Sequence, residues 1–199
     1  MCYDTNRERN SNLKLSITNS NLYRRKMMIK VAAADDILEI ENIYNEILNY
    51  EEQTVSYTNW QKGLYPTVDY AKRAIDNSTM FVGEDEKGIY GCVVINSIQP
   101  KEYDNISWVI KAKPSEIMVI HTLCIRPSAS GKGKARIMMK FIEKYAKERG
   151  YKVIRLDTYE GNIPAGTLYP KIGYRYVGTT KIHFQNVIWE NLKCFEKSL

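Results

Sequence analysis

A glycine-rich segment between an apolar strand and an amphipathic helix constrains the fold of this chain more than any other feature. The apolar run Ile117–Ile125 predicts a buried strand. Ser128–Ala135 then carries two glycines and two lysines, and apolar residues recur at helical spacing from Ile137 to about Glu148. Glycine lets a backbone approach a ligand closely, and free N–H groups at a helix N-terminus bind anions. The sequence therefore predicts a strand, a phosphate-binding loop and a helix, in that order.

Two common phosphate-binding loops do not match this segment. The Walker loop G-x-x-x-x-G-K-[ST] can be aligned here in two ways. With Gly131-Lys132 as its G-K pair, Arg126 stands where the motif needs glycine and Gly133 where it needs serine or threonine. With Gly133-Lys134 as the pair, Ser128 stands in place of the first glycine and Ala135 in place of the serine or threonine. The dinucleotide fingerprint G-x-G-x-x-G needs a third glycine where the chain has Arg136. The pyrophosphate loop of coenzyme A enzymes is the third alternative.

The remaining sequence predicts a mixed α/β fold in which strands and helices alternate and one crossover is parallel. Hydrophobic periodicity and turn residues set the expected ranges. The predicted strands are a first strand near Met28–Val31, then Met80–Glu84, Ile89–Ile98, Ile117–Ile125, Val153–Asp157, Tyr174–Ile182 and Val187–Phe195. The predicted helices run from Asp35 or Asp36 to about Glu51, from Thr67 or Asp69 to about Asp76, from the glycine-rich loop at Gly131 to about Glu148 and over Ile163–Lys171.

Several motifs in this order resemble the GCN5-related N-acetyltransferase (GNAT) superfamily. Its loop reads Arg/Gln-x-x-Gly-x-Gly/Ala, which Ser130–Ala135 matches except at the first position, where this chain has serine. The strand Ile154–Asp157, then Asn162, Leu168-Tyr169 and Ile172-Gly173-Tyr174 follow as in the family. The resemblance spans about residues 28–197 and implies a twisted mixed sheet of about seven strands. It also implies about four flanking helices and a splay between the fourth and fifth strands.

The resemblance implies acetyl-CoA as the acyl donor and direct transfer to a primary amine, with no metal. Backbone amides of the splayed fourth strand and of the loop would hold the donor, and a serine at the first loop position can still meet a phosphate or cap the helix. The expected donor-binding residues are Leu123, Cys124, Ile125, Ser130, Gly131, Lys132, Gly133, Lys134, Ala135 and Asn162.

Tyr169 is the expected general acid, because a phenol can protonate the leaving thiolate and the residue matches the family's tyrosine. The histone-acetylating branch places a glutamate base where this chain has Val119. His121 lies two residues further along the same strand face and is the expected base. Glu116 and Glu160 are alternatives, and a neutral amine needs no strong base. The Cys124 thiol is expected to be buried and inert.

The family builds its acceptor pocket from the first two helices and the late hairpin. Tyr57, Trp60 and Tyr65 lie in the corresponding loop, where aromatic rings and nearby carboxylates suit a cationic amine. We therefore expect a small-molecule or amino-acid-like acceptor. A protein N-terminus or lysine as acceptor, and a non-catalytic acyl-CoA-binding module, remain as alternatives.

Composition narrows the function classes further. The net charge is +6, but residues 1–28 supply +4 of it, which disfavours nucleic-acid binding by the rest of the chain. We expect residues 1–27 to be a flexible leader and 28–199 to be one domain. Scattered cysteines, no secretory signal and no run of 18 apolar residues favour the cytoplasm over a membrane. The last strand, with Trp189, is expected to be exposed and to permit a homodimer.

Overall fold

A computed structural model describes residues 27–184 and 188–199. The predicted leader, residues 1–27, lies outside the described residues apart from Met27. The strands are β1 (Met28–Val31), β2 (Met80–Asp85), β3 (Gly88–Asn96), β4 (Ile117–Ile125), β5 (Val153–Tyr159), β6 (Arg175–Phe184) and β7 (Ile188–Ser198). The α-helices are α1 (Ile37–Gln53), α2 (Val68–Asp76), α3 (Lys134–Glu148) and α4 (Ile163–Lys171).

The strands form one twisted sheet of seven in the order β1-β2-β3-β4-β5-β7-β6. All neighbours are antiparallel except β4 and β5, which are parallel and are joined through α3. The predicted mixed α/β fold, with its seven strands and single parallel crossover, is confirmed. The described ranges also contain the four predicted α-helices.

The expectation of an exposed last strand is wrong. β7 lies inside the sheet, between β5 and β6. β6 and β7 form a hairpin whose second strand pairs with β5 from Val153↔Ser198 to Tyr159↔Leu192, so β6 becomes the edge. The physical reason is burial: Cys194, Phe195 and Glu196 are all buried, and an edge strand would expose them. Trp189 is 60% exposed because it lies beyond the part of β7 that pairs with β5.

Helices cover both faces of the sheet. On one face, Met138, Met139 and Ile142 of α3 pack on strand residues such as Ile120 and Leu156. We call this the α3 face, and α4 also packs there. The opposite face, here the α1 face, is covered by α1 and α2, and further along by the segment around Tyr103 and Ile106.

Local signals place the helix ends. The Thr67 hydroxyl accepts from the Tyr70 N–H at 3.2 Å and caps α2, so Thr67 rather than Asp69 is the start of this helix among the two that the sequence allows. Gly150, at φ +78°, closes α3. Within the described ranges, none of the helices is both long enough and apolar enough to cross a lipid bilayer.

Candidate active site

β4 changes its surroundings halfway along its length. Residues Ile117–Ile120 are buried and pair with β5, but this pairing stops at Ile120 and Leu156. On the other edge of β4 the register with β3 shifts, and Thr122 adopts a left-handed φ of +50°. This bulge turns β4 away from β5 and opens a cavity of about 450 Å³ between them. The predicted splay of the fourth and fifth strands is confirmed.

The cavity is lined from both faces of the sheet, because it passes through the gap. Leu123, Cys124 and Ile125 line it from β4, where β5 no longer covers their backbone. Cys124 is 1% exposed, and burial raises the pKa of its thiol well above the usual value. A thiol held in its neutral form is a poor nucleophile, as expected for Cys124.

The glycine-rich loop forms one end of the cavity. Gly131 and Gly133 have φ of +72° and +75°, and nothing lies within 4 Å of a Cβ built on either residue. Both positions therefore need glycine and face open space. Ser130 and Ala135 line the cavity, and Gly133 is the N-cap residue of α3. The loop and the helix N-terminus present the anion-binding backbone that the sequence predicts.

The two loop lysines direct their ammonium groups elsewhere. Lys134 Nζ donates to Asp85 Oδ2 at 2.5 Å and lies 4.4 Å from the centre of the Tyr90 ring. Lys132 Nζ donates to the Ser128 carbonyl oxygen at 2.7 Å. At this loop the backbone N–H groups, and not these two ammonium groups, are left available to a ligand.

Asn162 and Tyr169, both on or next to α4, line the cavity from the α3 face. Asn162 Oδ1 accepts from the Ala165 N–H at 3.1 Å, so the residue caps α4. Tyr169 is 5% exposed and packs on Tyr174 and Phe195. Its hydroxyl makes no hydrogen bond within the described part of the chain. Burial, and then the charge of Asp157, raise the pKa of this phenol and keep it protonated at pH 7.

His121 lines the cavity from the opposite side. Strand alternation from Val119 puts it on the α1 face, where its Nε2 lies 3.1 Å from Asn96 Oδ1. Burial lowers the pKa of His121 to about 4. The imidazole is therefore neutral at pH 7, and its conjugate acid is too strong to hold a proton there.

The aromatic residues predicted for the acceptor also meet at the cavity. Tyr57, Trp60 and Tyr65 line it, and Trp60 meets Tyr65 edge to face at 5.6 Å. The Tyr65 hydroxyl hydrogen-bonds the Thr122 hydroxyl, which donates to Tyr70 Oη at 3.0 Å. The segment between α1 and α2 is thereby fixed to the bulge of β4.

Two carboxylates of the α1 face were missed by the sequence interpretation. Asp157 lies at the mouth of the gap and accepts from the Tyr103 hydroxyl at 2.8 Å. Burial raises its pKa to about 6. Glu190, on β7, accepts from Asn59 Nδ2 at 3.1 Å, and burial also raises its pKa. The alternation of side chains along β5 could have placed Asp157 on this face. Glu190 comes here through the pairing of β7 with β5, which is long-range and leaves no local signal in the sequence.

The sheet splays between β4 and β5, the glycine-rich loop lies at one end of the gap, and polar groups lie at the other. A model of the acetyltransferase (GNAT) family matches residues 37–174. The chain therefore belongs to that family.

Known proteins resemble the chain over most of its fold. A GNAT-family acetyltransferase of Streptococcus agalactiae superposes with a TM-score of 0.72 at 20% identity, covering 90% of this chain and 99% of that one. An acetyltransferase of Salmonella typhimurium, solved with acetyl-CoA, gives 0.64 at 16% identity and covers 87% and 94%. Streptothricin acetyltransferase of Escherichia coli is 32% identical over 95 residues, 48% of this chain. The matched region spans only 51% of that relative.

Proposed function

We propose that this protein is an acetyl-CoA-dependent N-acetyltransferase that acts on a primary amine of a small molecule. The observation that carries the proposal is the cavity between β4 and β5. Its α3-face end has the glycine loop and Tyr169, and its α1-face end has aromatic rings and carboxylates. The two ends suit a donor and an acceptor that meet in the gap.

The donor would be held mainly by backbone. The N–H groups of Gly131–Ala135 and the start of α3 suit a pyrophosphate, and the open space at Gly131 and Gly133 leaves room for it. The uncovered segment Leu123–Ile125 offers backbone groups to the rest of the donor and to the thioester oxygen. Donor recognition of this kind requires little from the side chains, so serine at position 130 is compatible with it.

Tyr169 would act as the general acid. Its hydroxyl is protonated and has no competing hydrogen bond in the described part of the chain. When the acceptor nitrogen attacks, the new C–N bond forms, the C–S bond breaks, and Tyr169 gives its proton to the thiolate sulfur. Solvent then returns a proton to the phenolate.

The proton lost by the acceptor nitrogen would go to the α1 face. His121 and Asp157 both line that side. A base works best when its pKa lies near the working pH, and the pKa of Asp157, about 6, is nearer to neutrality than that of His121, about 4. We therefore assign the proton to Asp157, and the catalytic role of His121 stays a prediction.

A small acceptor is favoured over a protein by the closed acceptor wall. Tyr65 is bonded to Thr122, and Asn59 to Glu190, so the segment between α1 and α2 is attached to both β4 and β7. A volume of about 450 Å³ is that of a small-molecule pocket. The name of the Escherichia coli relative, streptothricin acetyltransferase, is consistent with such an acceptor.

Calorimetric titration with acetyl-CoA tests the donor site. Ala135→Glu puts a negative charge beside the loop and should abolish micromolar binding of acetyl-CoA. Because position 135 lies in α3 with ordinary helical backbone, the variant should still fold. Lys144→Gln, on the exposed side of α3, changes the charge by the same amount and should bind like the wild type. Absence of binding by folded wild-type protein would overturn the proposed function. Thiol release with a panel of amines then tests the transfer itself.

A further inference from the structure

The acceptor side of the cavity is strongly acidic. Glu51 of α1, Asp157 of β5 and Glu190 of β7 all line it, although they come from distant parts of the sequence. No lysine or arginine of the described residues lines the cavity. Among the described residues, the other titratable groups that line it are tyrosines, the buried Cys124 thiol and His121, none of which carries a formal charge in its neutral form. The cavity therefore carries net negative charge at its acceptor end.

Among the described residues, each of these three carboxylates accepts hydrogen bonds only from neutral donors. Glu51 accepts from the Thr58 hydroxyl at 2.6 Å and from the Thr58 N–H at 3.1 Å. The single donors to Asp157 and Glu190 are the Tyr103 hydroxyl and the Asn59 amide. Within the described ranges, none of the three has a lysine or arginine nitrogen within 4.0 Å.

Other half-buried carboxylates of the chain are paired with cations. Asp85 meets Lys134 at 2.5 Å, and Glu39 meets Arg126 at 2.7 Å. Glu143 likewise meets Lys197 at 2.8 Å. An unpaired charge removed from water is costly, so a fold normally supplies a counter-ion. The absence of one around this cavity indicates that the positive charge arrives with the acceptor.

The reacting amine needs only one carboxylate to accept its proton. Asp157, beside the gap between β4 and β5, is the group we assign to its proton. Glu51 and Glu190 then remain, set around the aromatic wall of Tyr57 and Trp60. A ring face and a carboxylate together are the usual partners of an ammonium or guanidinium group.

We propose that the acceptor carries a second cationic group and has no carboxylate near the reacting amine. The inference rests on the proposed function and names the substrate class of that site. An amino-acid carboxylate would meet Glu51, Asp157 or Glu190 and would find neither lysine nor arginine among the lining residues. The amino-acid-like acceptor expected from the sequence is therefore narrowed to di- and polyamines and to esters or amides of basic amino acids.

Matched amines test the inference. Thiol release from acetyl-CoA is followed with 1,6-diaminohexane against hexylamine, and with lysinamide against lysine, at pH 8 and 150 mM salt. The first pair differs by one cation and the second by one carboxylate. We expect kcat/KM to be at least roughly tenfold higher for the diamine and for lysinamide, because one partly desolvated ion pair separates the members of each pair.

Variants locate the recognition. Glu190→Gln keeps an acceptor for the Asn59 amide and should lower the ratio of kcat/KM for 1,6-diaminohexane to kcat/KM for hexylamine about threefold or more. Glu148→Gln removes an exposed carboxylate outside the cavity, so it should keep the wild-type preference. The wild-type ratios decide the inference even if Glu190→Gln folds poorly.

The outcomes separate the two proposals. Equal rates within both pairs, or faster transfer to lysine than to lysinamide, would overturn the inference and leave the transferase in place. If the protein binds acetyl-CoA but releases thiol with none of the amines, the proposed function is overturned and the inference with it.

Discussion

Replacing the Asp157 carboxylate by an amide should stabilise the protein at alkaline pH. The pKa of Asp157 is raised from 3.8 to about 6, chiefly by burial, with the charge of Glu102 adding to it and the Tyr103 hydrogen bond opposing it. The folded protein therefore holds this proton more tightly than the unfolded chain does. As pH rises from about 4 to above 6, the folded state loses stability relative to a chain with a neutral residue at position 157.

The magnitude follows from the pKa difference. Two units at about 1.4 kcal/mol each give a penalty of about 3 kcal/mol at pH 8, which shrinks to about 1 kcal/mol at pH 4.5. Asp157→Asn removes this penalty and still accepts from Tyr103. For a chain of this length, the gain corresponds to a Tm about 6–10 °C higher at pH 8. Acetyl transfer should fall in the same variant, because the nitrogen's proton loses its acceptor.

The assay is urea unfolding of wild type and Asp157→Asn at half-unit steps from pH 4.5 to 8. Asp76→Asn, an exposed carboxylate outside the cavity, controls for the loss of a charge and should change stability by less than about 0.5 kcal/mol. A stability difference that does not grow with pH would refute the reasoning. So would a wild type that is more stable than Asp157→Asn at pH 8, since the carboxylate would then be favoured by its surroundings.

Three further predictions concern the donor side. Tyr169→Phe keeps the packing on Tyr174 and Phe195 and removes a hydroxyl without a hydrogen bond in the described ranges, so its Tm should hardly change. Its single-turnover rate of thiol release should fall by about 10² or more. Gly133→Ala should cost about 1–2 kcal/mol in urea unfolding, because φ is +75°, and should weaken acetyl-CoA binding in calorimetry. Asn162→Ala should cost about 1 kcal/mol in the same unfolding assay, because α4 loses its N-cap.

Matched variants control these predictions. Gly150→Ala has a φ of +78° and equally open space at the far end of α3, so it should lose similar stability and bind acetyl-CoA normally. Equal weakening of binding in both glycine variants would contradict the placement of the donor. Asn162→Ser keeps a capping oxygen and should restore most of the stability. An unchanged rate in Tyr169→Phe would remove Tyr169 as the acid.

Much of the fold was predictable, because its elements are local. β4 and α4 have the predicted bounds, Thr67 is one of the two predicted starts of α2, and the glycine-rich loop stands between β4 and α3 as predicted. The position of β7 was not predictable in this way. Its neighbours β5 and β6 are chosen by which strand buries Cys194, Phe195 and Glu196, and that choice depends on the assembled core.

The site divides in the same manner. The family resemblance points to the loop, to the end of β4 and to Tyr169, and the cavity contains Tyr169, His121 and the three predicted aromatic residues. The direction of the Lys134 side chain depends on a partner elsewhere in the fold, Asp85 on β2. Glu190 reaches the cavity only through the long-range pairing of β7 with β5, which no local pattern reports.

The interior position of β7 has a consequence for biosynthesis. β5 cannot gain its antiparallel neighbour until β7 has emerged from the ribosome, and Glu196, which is fully buried beside Arg155, belongs to that late segment. Until then the growing polypeptide exposes an unpaired strand edge beside the unfinished gap, the kind of surface on which nascent chains associate wrongly. Chaperones that shield the β5 edge until residues 188–198 have left the ribosome should therefore raise the yield of folded protein.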